Sequence, residues 1–158
     1  MAANYFLRID GIPGESTDEK HKGEIPVLAF SWGEAQSASP ASGGGGGAGK
    51  VSIGPLNVTA VTSKASPPLL LACASGKHLK SATLTGRKAG KGQLEFLTFS
   101  LSDVLVSDYQ VSGSEDTPID TVSLAFAKIQ VEYREQKADG SAGAVSKAGW
   151  DVKANKKI

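Results

Sequence analysis

The stretch that most constrains this chain is Glu24–Lys50. It opens as a strand, Ile25-Pro26-Val27-Leu28-Ala29-Phe30-Ser31-Trp32-Gly33, and runs directly into a long connection with little side-chain mass. Side chains alternate along an extended backbone. Leu28, Phe30 and Trp32 therefore share one face, expected in the core. Val27, Ala29, Ser31 and Gly33 share the other. That second face is small and weakly polar, which suits a wall that meets water in a confined space, or another backbone. The connection at 34–50 holds Gln36, Ser37 and Ser39, then Gly43, Gly44, Gly45, Gly46 and Gly47, then Gly49 and Lys50. Unstructured connections this long are uncommon in compact domains and are usually functional or disordered. Ordering five consecutive glycines costs much chain entropy. The arm is therefore expected to order only against a partner.

With 158 residues, the chain is expected to form one domain, residues 1–158, with room for a real core. Its 40% hydrophobic and 21% charged residues are ordinary for a globular protein. The net charge of +1 gives no electrostatic case for nucleic acid or an anionic membrane. The lysines of Lys153–Lys157 read as a solvated tail. Cys73 is the single cysteine, so no internal disulfide can form. Met1-Ala2-Ala3-Asn4 passes straight into a strand pattern, without the features of a signal peptide. No apolar run approaches the roughly 20 residues that span a bilayer. The expectation is a protein made and folded in the cytosol.

Strand patterns dominate the rest. Asn4–Asp10 alternates, with Tyr5, Leu7 and Ile9 on one side, and Gly11-Ile12-Pro13-Gly14 ends it. Val51–Thr62 carries Leu56, Val58, Ala60 and Thr62 on one face, and its internal Pro55 argues for an edge or a bulge. Ser66–Gly76 predicts the one helix: Ser66 as N-cap, Pro67 at the first helical position, Gly76 as the stop. At about three turns, it must pack on a sheet to be stable. Ser81–Lys88 and Leu94–Val106 predict a hairpin. Ser112–Pro118 is a polar loop. Val122, Leu124 and Phe126 share one parity, whereas Ile129, Val131 and Tyr133 share the other, which predicts a β-bulge near Ala127-Lys128. Gly149–Val152 reads as a short last strand with Trp150 inward. Many short strands with one helix imply a closed or sandwiched antiparallel β-barrel.

Chemical motifs are sparse. Gly44-x4-Gly49-Lys50 falls short of a phosphate-binding loop, because Val51 replaces the Mg²⁺-ligating hydroxyl and a strand pattern follows instead of a helix. His21 and His78, with one cysteine, make no structural zinc set, and each reads as a surface or hydrogen-bonded histidine. Cys73 lies in an apolar helix, where a thiol behaves as a small hydrophobe. No Gly-x-Ser-x-Gly elbow occurs. The residues point to a protein without catalysis, metal or cofactor. One alternative is a monomeric β-barrel that binds a small ligand in its interior, although Phe30, Trp32, Phe99 and Trp150 argue for a filled core.

Several segments together carry a resemblance that spans the chain in order: Phe6-Leu7-Arg8-Ile9-Asp10-Gly11, Glu24 to Gly33, the glycine run to Gly49-Lys50-Val51, Ala72-Cys73-Ala74-Ser75-Gly76-Lys77-His78, Arg87-Lys88-Ala89-Gly90, Glu95-Phe96-Leu97, Val131-Glu132-Tyr133, Lys137-Ala138-Asp139-Gly140-Ser141 and Gly149-Trp150-Asp151. The chain resembles Hcp, the haemolysin-coregulated protein family of the bacterial type VI secretion inner tube. Pro26 and Phe30 are small departures, where an acidic residue and a tryptophan are common. The resemblance implies a mainly β fold: an antiparallel β-barrel of two packed sheets with one short flanking α-helix. It implies assembly with itself as hexameric rings that stack into a tube, driven by a contracting sheath and tipped by a spike. Effector proteins travel in the lumen, and export from the bacterial cytoplasm needs no signal peptide. On this resemblance, Ala29 and Ser31 suit the lumen wall. Gln36, Ser37, Ser39, Gly43–Gly47, Gly49 and Lys50 suit an arm between subunits or stacked rings.

Overall fold

The computed structural model describes residues 3–37, 50–90 and 92–158. Their elements, in order, are β1 (Ala3–Ile9), β2 (Ile25–Val27), β3 (Ala29–Ser31), β4 (Glu34–Ala35), β5 (Ser52–Ile53), β6 (Leu56–Val61), α1 (Ser66–Ser75), β7 (His78–Lys88), β8 (Glu95–Ser112), β9 (Ile119–Gln136), β10 (Ala142–Asp151) and β11 (Lys156–Lys157). All strand pairs are antiparallel. β9 is the hub. Its first half pairs with β6, from Leu56 opposite Leu124 to Val61 opposite Ile119. Its second half pairs with β10, while β8 follows its other edge along nearly the whole length. β7, β1 and β2 continue outward from β8.

The barrel closes at a corner. β2 pairs with β1 and β3 pairs with β6, and between them the Leu28 N–H donates to the Thr59 carbonyl at 2.8 Å. One stretch of chain thus pairs first with β1 and then, by bending, with β6. The corner resets the alternation expected across 25–33. Ile25 and Val27 are buried and Leu28 is 58% exposed, so the expected places of Val27 and Leu28 are exchanged. Beyond the corner, Phe30 and Trp32 pack on the core while Ala29 and Ser31 face out. Pro26 sits on β2, which has β1 as its single ladder partner, a position that tolerates a missing donor.

The interior is filled. Leu56, Leu124, Val104, Leu84, Leu101 and Leu7 are almost wholly buried. Phe30 meets Tyr5 at 5.0 Å and Phe99 at 5.7 Å between ring centroids, both edge-on, an arrangement that adds to simple area burial. The hollow between this core and the helix amounts to about 10 Å³, at the threshold for a single water. An interior ligand site, the alternative barrel reading, finds no room there.

The helix α1 begins with Pro67 and Pro68 in its first positions and stops at Gly76, whose φ of 66° is left-handed. Leu69 and Ala72 face the core, whereas Leu70 and Leu71 are exposed. The N-cap position belongs to Ala65, not Ser66, and no side chain caps it. Ser66 is committed elsewhere. Its hydroxyl donates to buried Asp120 and accepts the Ser63 N–H at 3.0 Å. Asp120 also takes the Thr62 hydroxyl at 2.8 Å and the Tyr109 hydroxyl at 3.2 Å. A buried carboxyl group is thus satisfied by three hydroxyls.

Three further expectations are corrected. The β8–β9 register runs unshifted past Ala127–Lys128, and its irregularity lies on β8 between Val106 and Asp108. The parity change in β9 needs no extra residue there: the ladder skips the Asp103–Ala127 pair, and Asp103 is left-handed at φ 54°. The last long strand begins at Ala142, not Gly149, since small residues with little hydrophobic pattern pair with 131–136. Lys156 and Lys157 form β11 on Trp150 and Asp151, so the lysine-rich end is not simply a solvated tail.

Candidate functional site

Ladder pairs carry side chains to the same face, so the register extends the surface around Ala29 and Ser31. Ala29 lies opposite Thr59 and Ser31 opposite Asn57 on β6. Those lie opposite Thr121 and Ser123 on β9, which in turn face Gln110 and Asp108 on β8. The result is a four-strand face of small, hydroxyl and amide side chains, with Asp108 its one charge. It is internally bonded: the Ser123 hydroxyl donates to Asn57 Oδ1 at 2.6 Å, the Ser107 hydroxyl to the Ser123 carbonyl at 3.2 Å, and Gln110 Nε2 to Asp108 Oδ2 at 3.1 Å. Asn57, Thr59, Thr121, Ser123, Asp108 and Gln110 were missed from the sequence. The signal for two of them was present, since the inward parity of Leu56, Val58 and Ala60 turns Asn57 and Thr59 outward.

The arm has a structured root. Glu34 and Ala35 pair with Ile53 and Ser52, so the 34–50 connection starts and ends as a two-stranded ladder, not as featureless loop. Trp32 braces it by donating Nε1–H to the Gly54 carbonyl at 2.9 Å. Gln36, Ser37 and Lys50 are exposed beyond the ladder. Ser39, Gly43, Gly44, Gly45, Gly46, Gly47 and Gly49 lie outside the described residues. The chain after Lys50 enters strand β5 and not the helix that a phosphate loop requires.

A second constellation went unread in the sequence. The guanidinium of Arg87, only 3% exposed, gives two parallel hydrogen bonds to Asp18 at 2.8 and 2.7 Å. It lies 5.0 Å over the Phe6 ring, and the His21 ring stacks on Phe6 at 4.4 Å and 7°. His21 is buried and bridges Glu24 at 3.0 Å and Glu95 at 2.8 Å. The bonds from Arg87 hold the Asp18 carboxyl well below the usual carboxylate range, against the opposing effect of burial. The stack clamps the loop 11–24 onto β1, β7 and β8. Among the described residues, no group of three or more His, Cys, Asp and Glu is placed to hold a metal.

The fold is a filled β-barrel whose outward features are a broad small-residue face and a projecting hairpin root. The chain belongs to the Hcp family of the type VI secretion system. The family model described as "Type VI secretion system effector, Hcp" matches residues 6–133. The chain is 48% identical over 159 residues to the protein hcp1 of Pseudomonas aeruginosa, covering 98% of each. It is similar to the crystal structure of Hcp1 from Salmonella typhimurium, with a TM-score of 0.85, 42% identity and full coverage of both chains. A structure titled as a type six secretion system protein matches with a TM-score of 0.92 and 32% identity, over 99% of this chain and all of that one. No helix among the described residues is long and apolar enough to cross a membrane.

Proposed function

We propose that the protein is a structural subunit of the type VI secretion tube. Six copies form a ring, rings stack, and the lumen carries and protects effector proteins on their way out of the bacterial cytoplasm. Sheath and spike components of the secretion machine are the further partners. The observation that carries this reading is the four-strand face around Ala29 and Ser31. It is broad, small and nearly uncharged, as suits a bore that passes varied cargo without gripping it. The arm rooted in β4 and β5 supports the reading as well, since a ring uses a head-to-tail contact between two different patches. In this reading Gln36, Ser37 and Lys50, exposed beyond the β4–β5 ladder, lie across a neighbour together with the glycine run.

Negative-stain microscopy and light scattering of the purified protein test this directly. Ring-sized particles are expected, and a strictly monomeric species at high micromolar concentration refutes it. Within such rings, Ser31→Arg is expected to impair effector retention while leaving the rings intact. Rings that fall apart on this substitution would place Ser31 in an interface instead.

A further inference from the structure

Two oppositely charged features remain outside the surfaces used so far. The first is an open cleft of about 560 Å³ between the end of β1 and the loop 11–24. Arg8, Lys20 and Lys22 stand on its walls, all three exposed. Two acids also line it. Glu24 is turned onto His21 Nδ1, which leaves Glu19 as the one carboxylate without an ion-pair partner among the described residues. None of the three cations forms a salt bridge among the described residues. The stack of Arg87, Phe6 and His21 holds the loop, so the cations of that loop project from an anchored segment. The mouth passes Gly11 and Gly23, both left-handed at φ 80° and 77°, with open space where a side chain would stand.

The second feature is the tip of the β8–β9 hairpin. Glu115 and Asp116 are exposed on it, with no salt bridge among the described residues and no cation between Ser112 and Ile119. Within its own molecule the tip makes no ion pair with the cleft among the described residues. An overall charge of +1 hides this asymmetry.

We propose that the acidic tip of one copy, through Glu115 and Asp116, seats in the Arg8–Lys20–Lys22 cleft of a second copy. This rests on the ring reading and adds which surfaces meet. Two unlike patches on one chain are what a head-to-tail contact consumes. Charge pairs of this kind set orientation and partner choice more than raw affinity, and they weaken as salt screens them.

The test compares the wild type with Glu115→Lys/Asp116→Lys, with Arg8→Glu/Lys20→Glu/Lys22→Glu, and with all five changes combined. Light scattering after size exclusion reads the assembly at low and high salt, and circular dichroism checks the barrel. Each reversed set alone should assemble at least about tenfold more weakly, and the combined chain should recover. Should a reversed set fail to fold, Glu115→Gln/Asp116→Asn and Lys20→Gln/Lys22→Gln serve instead, and each should weaken assembly. Unchanged assembly in both sets, or no recovery in the combined chain, overturns the pairing while leaving the ring reading intact. Sensitivity of the cleft alone points to a different acidic occupant and equally overturns it. A wild type that never assembles removes both.

Discussion

Gly14→Ala should be among the most damaging single-methyl changes available in this barrel. Gly14 is buried where the loop after β1 lies flat on the chain entering β2. A Cβ there would stand 2.5 Å from the Glu24 carbonyl oxygen, 2.6 Å from its carbon and 2.7 Å from the Ile25 nitrogen. All three are backbone atoms, so no side chain can swing aside. Restoring ordinary contact requires the two segments to part by nearly an ångström. That movement strains two hydrogen bonds, Gly14 N–H to the Gly23 carbonyl at 2.8 Å and Ser16 N–H to the Glu24 carbonyl at 2.9 Å. Each is worth about 1 kcal/mol net, and overpacking adds roughly 1–3 kcal/mol. A loss of about 3 kcal/mol lowers the melting temperature by about 6–12 °C for a chain of this size. Gly33→Ala is the control: nothing lies within 4 Å of its would-be Cβ, and a change within about 0.5 kcal/mol is expected. Thermal melts read by circular dichroism at two protein concentrations separate folding from assembly. A Gly14→Ala protein that melts within about 1 °C of the wild type refutes the steric reasoning.

Acid should loosen the clamp on the loop 11–24. The folded Asp18 carboxyl titrates below its ordinary value of 3.8, so its contribution to stability is present above that pH and is lost as the pH falls below it. Asp18→Asn should therefore be less stable at neutral pH, with a shallower loss between about pH 4 and 2 than the wild type, read as melting temperature against pH; parallel curves would remove Asp18 from the acid response. The two tryptophans should also respond differently to phenylalanine. Trp32→Phe leaves the Gly54 carbonyl without its donor and should cost about 1 kcal/mol. Trp150→Phe removes a buried N–H that has no partner among the described residues, so its polar loss should be close to nil in urea unfolding of the dissociated chain.

What could be read in the sequence was whatever depends on neighbours in the chain. The inward set of β6 follows from alternation across Leu56, Val58 and Ala60. The helix limits follow from Pro67 and Gly76, and the β7–β8 hairpin from two alternating runs around a glycine turn. Ala29 and Ser31 came out facing outward, because Phe30 and Trp32 mark the opposite face. Several of the misreadings involve distant partners. The corner at Leu28 depends on the Thr59 carbonyl, and Ser66 is drawn from capping by Asp120, 54 residues away. The Asp18–Arg87 pair joins residues 69 apart, and no local pattern signals it. The parity slip in β9 was visible, but the sequence does not tell a bulge from a break in the ladder that adds no residue.

Along β3 and β6, contact chemistry and folding are divided residue by residue. Ala29, Ser31 and Thr59 point outward, while Phe30 and Val58 between them point into the core, Val58 at 2% exposure. A wall built this way can change what it touches without repacking what holds it, because the two sets of side chains share backbone but few contacts. Ser123 is the exception. It belongs to the outward row by register, yet it is 8% exposed, its hydroxyl bonds Asn57 and its carbonyl accepts from Ser107. At that position a larger side chain would both raise the wall and break the hydrogen bond that joins β9 to β6 across it. The freedom to retune the proposed bore therefore lies on β3, at the rim of the face, and is lost toward its centre.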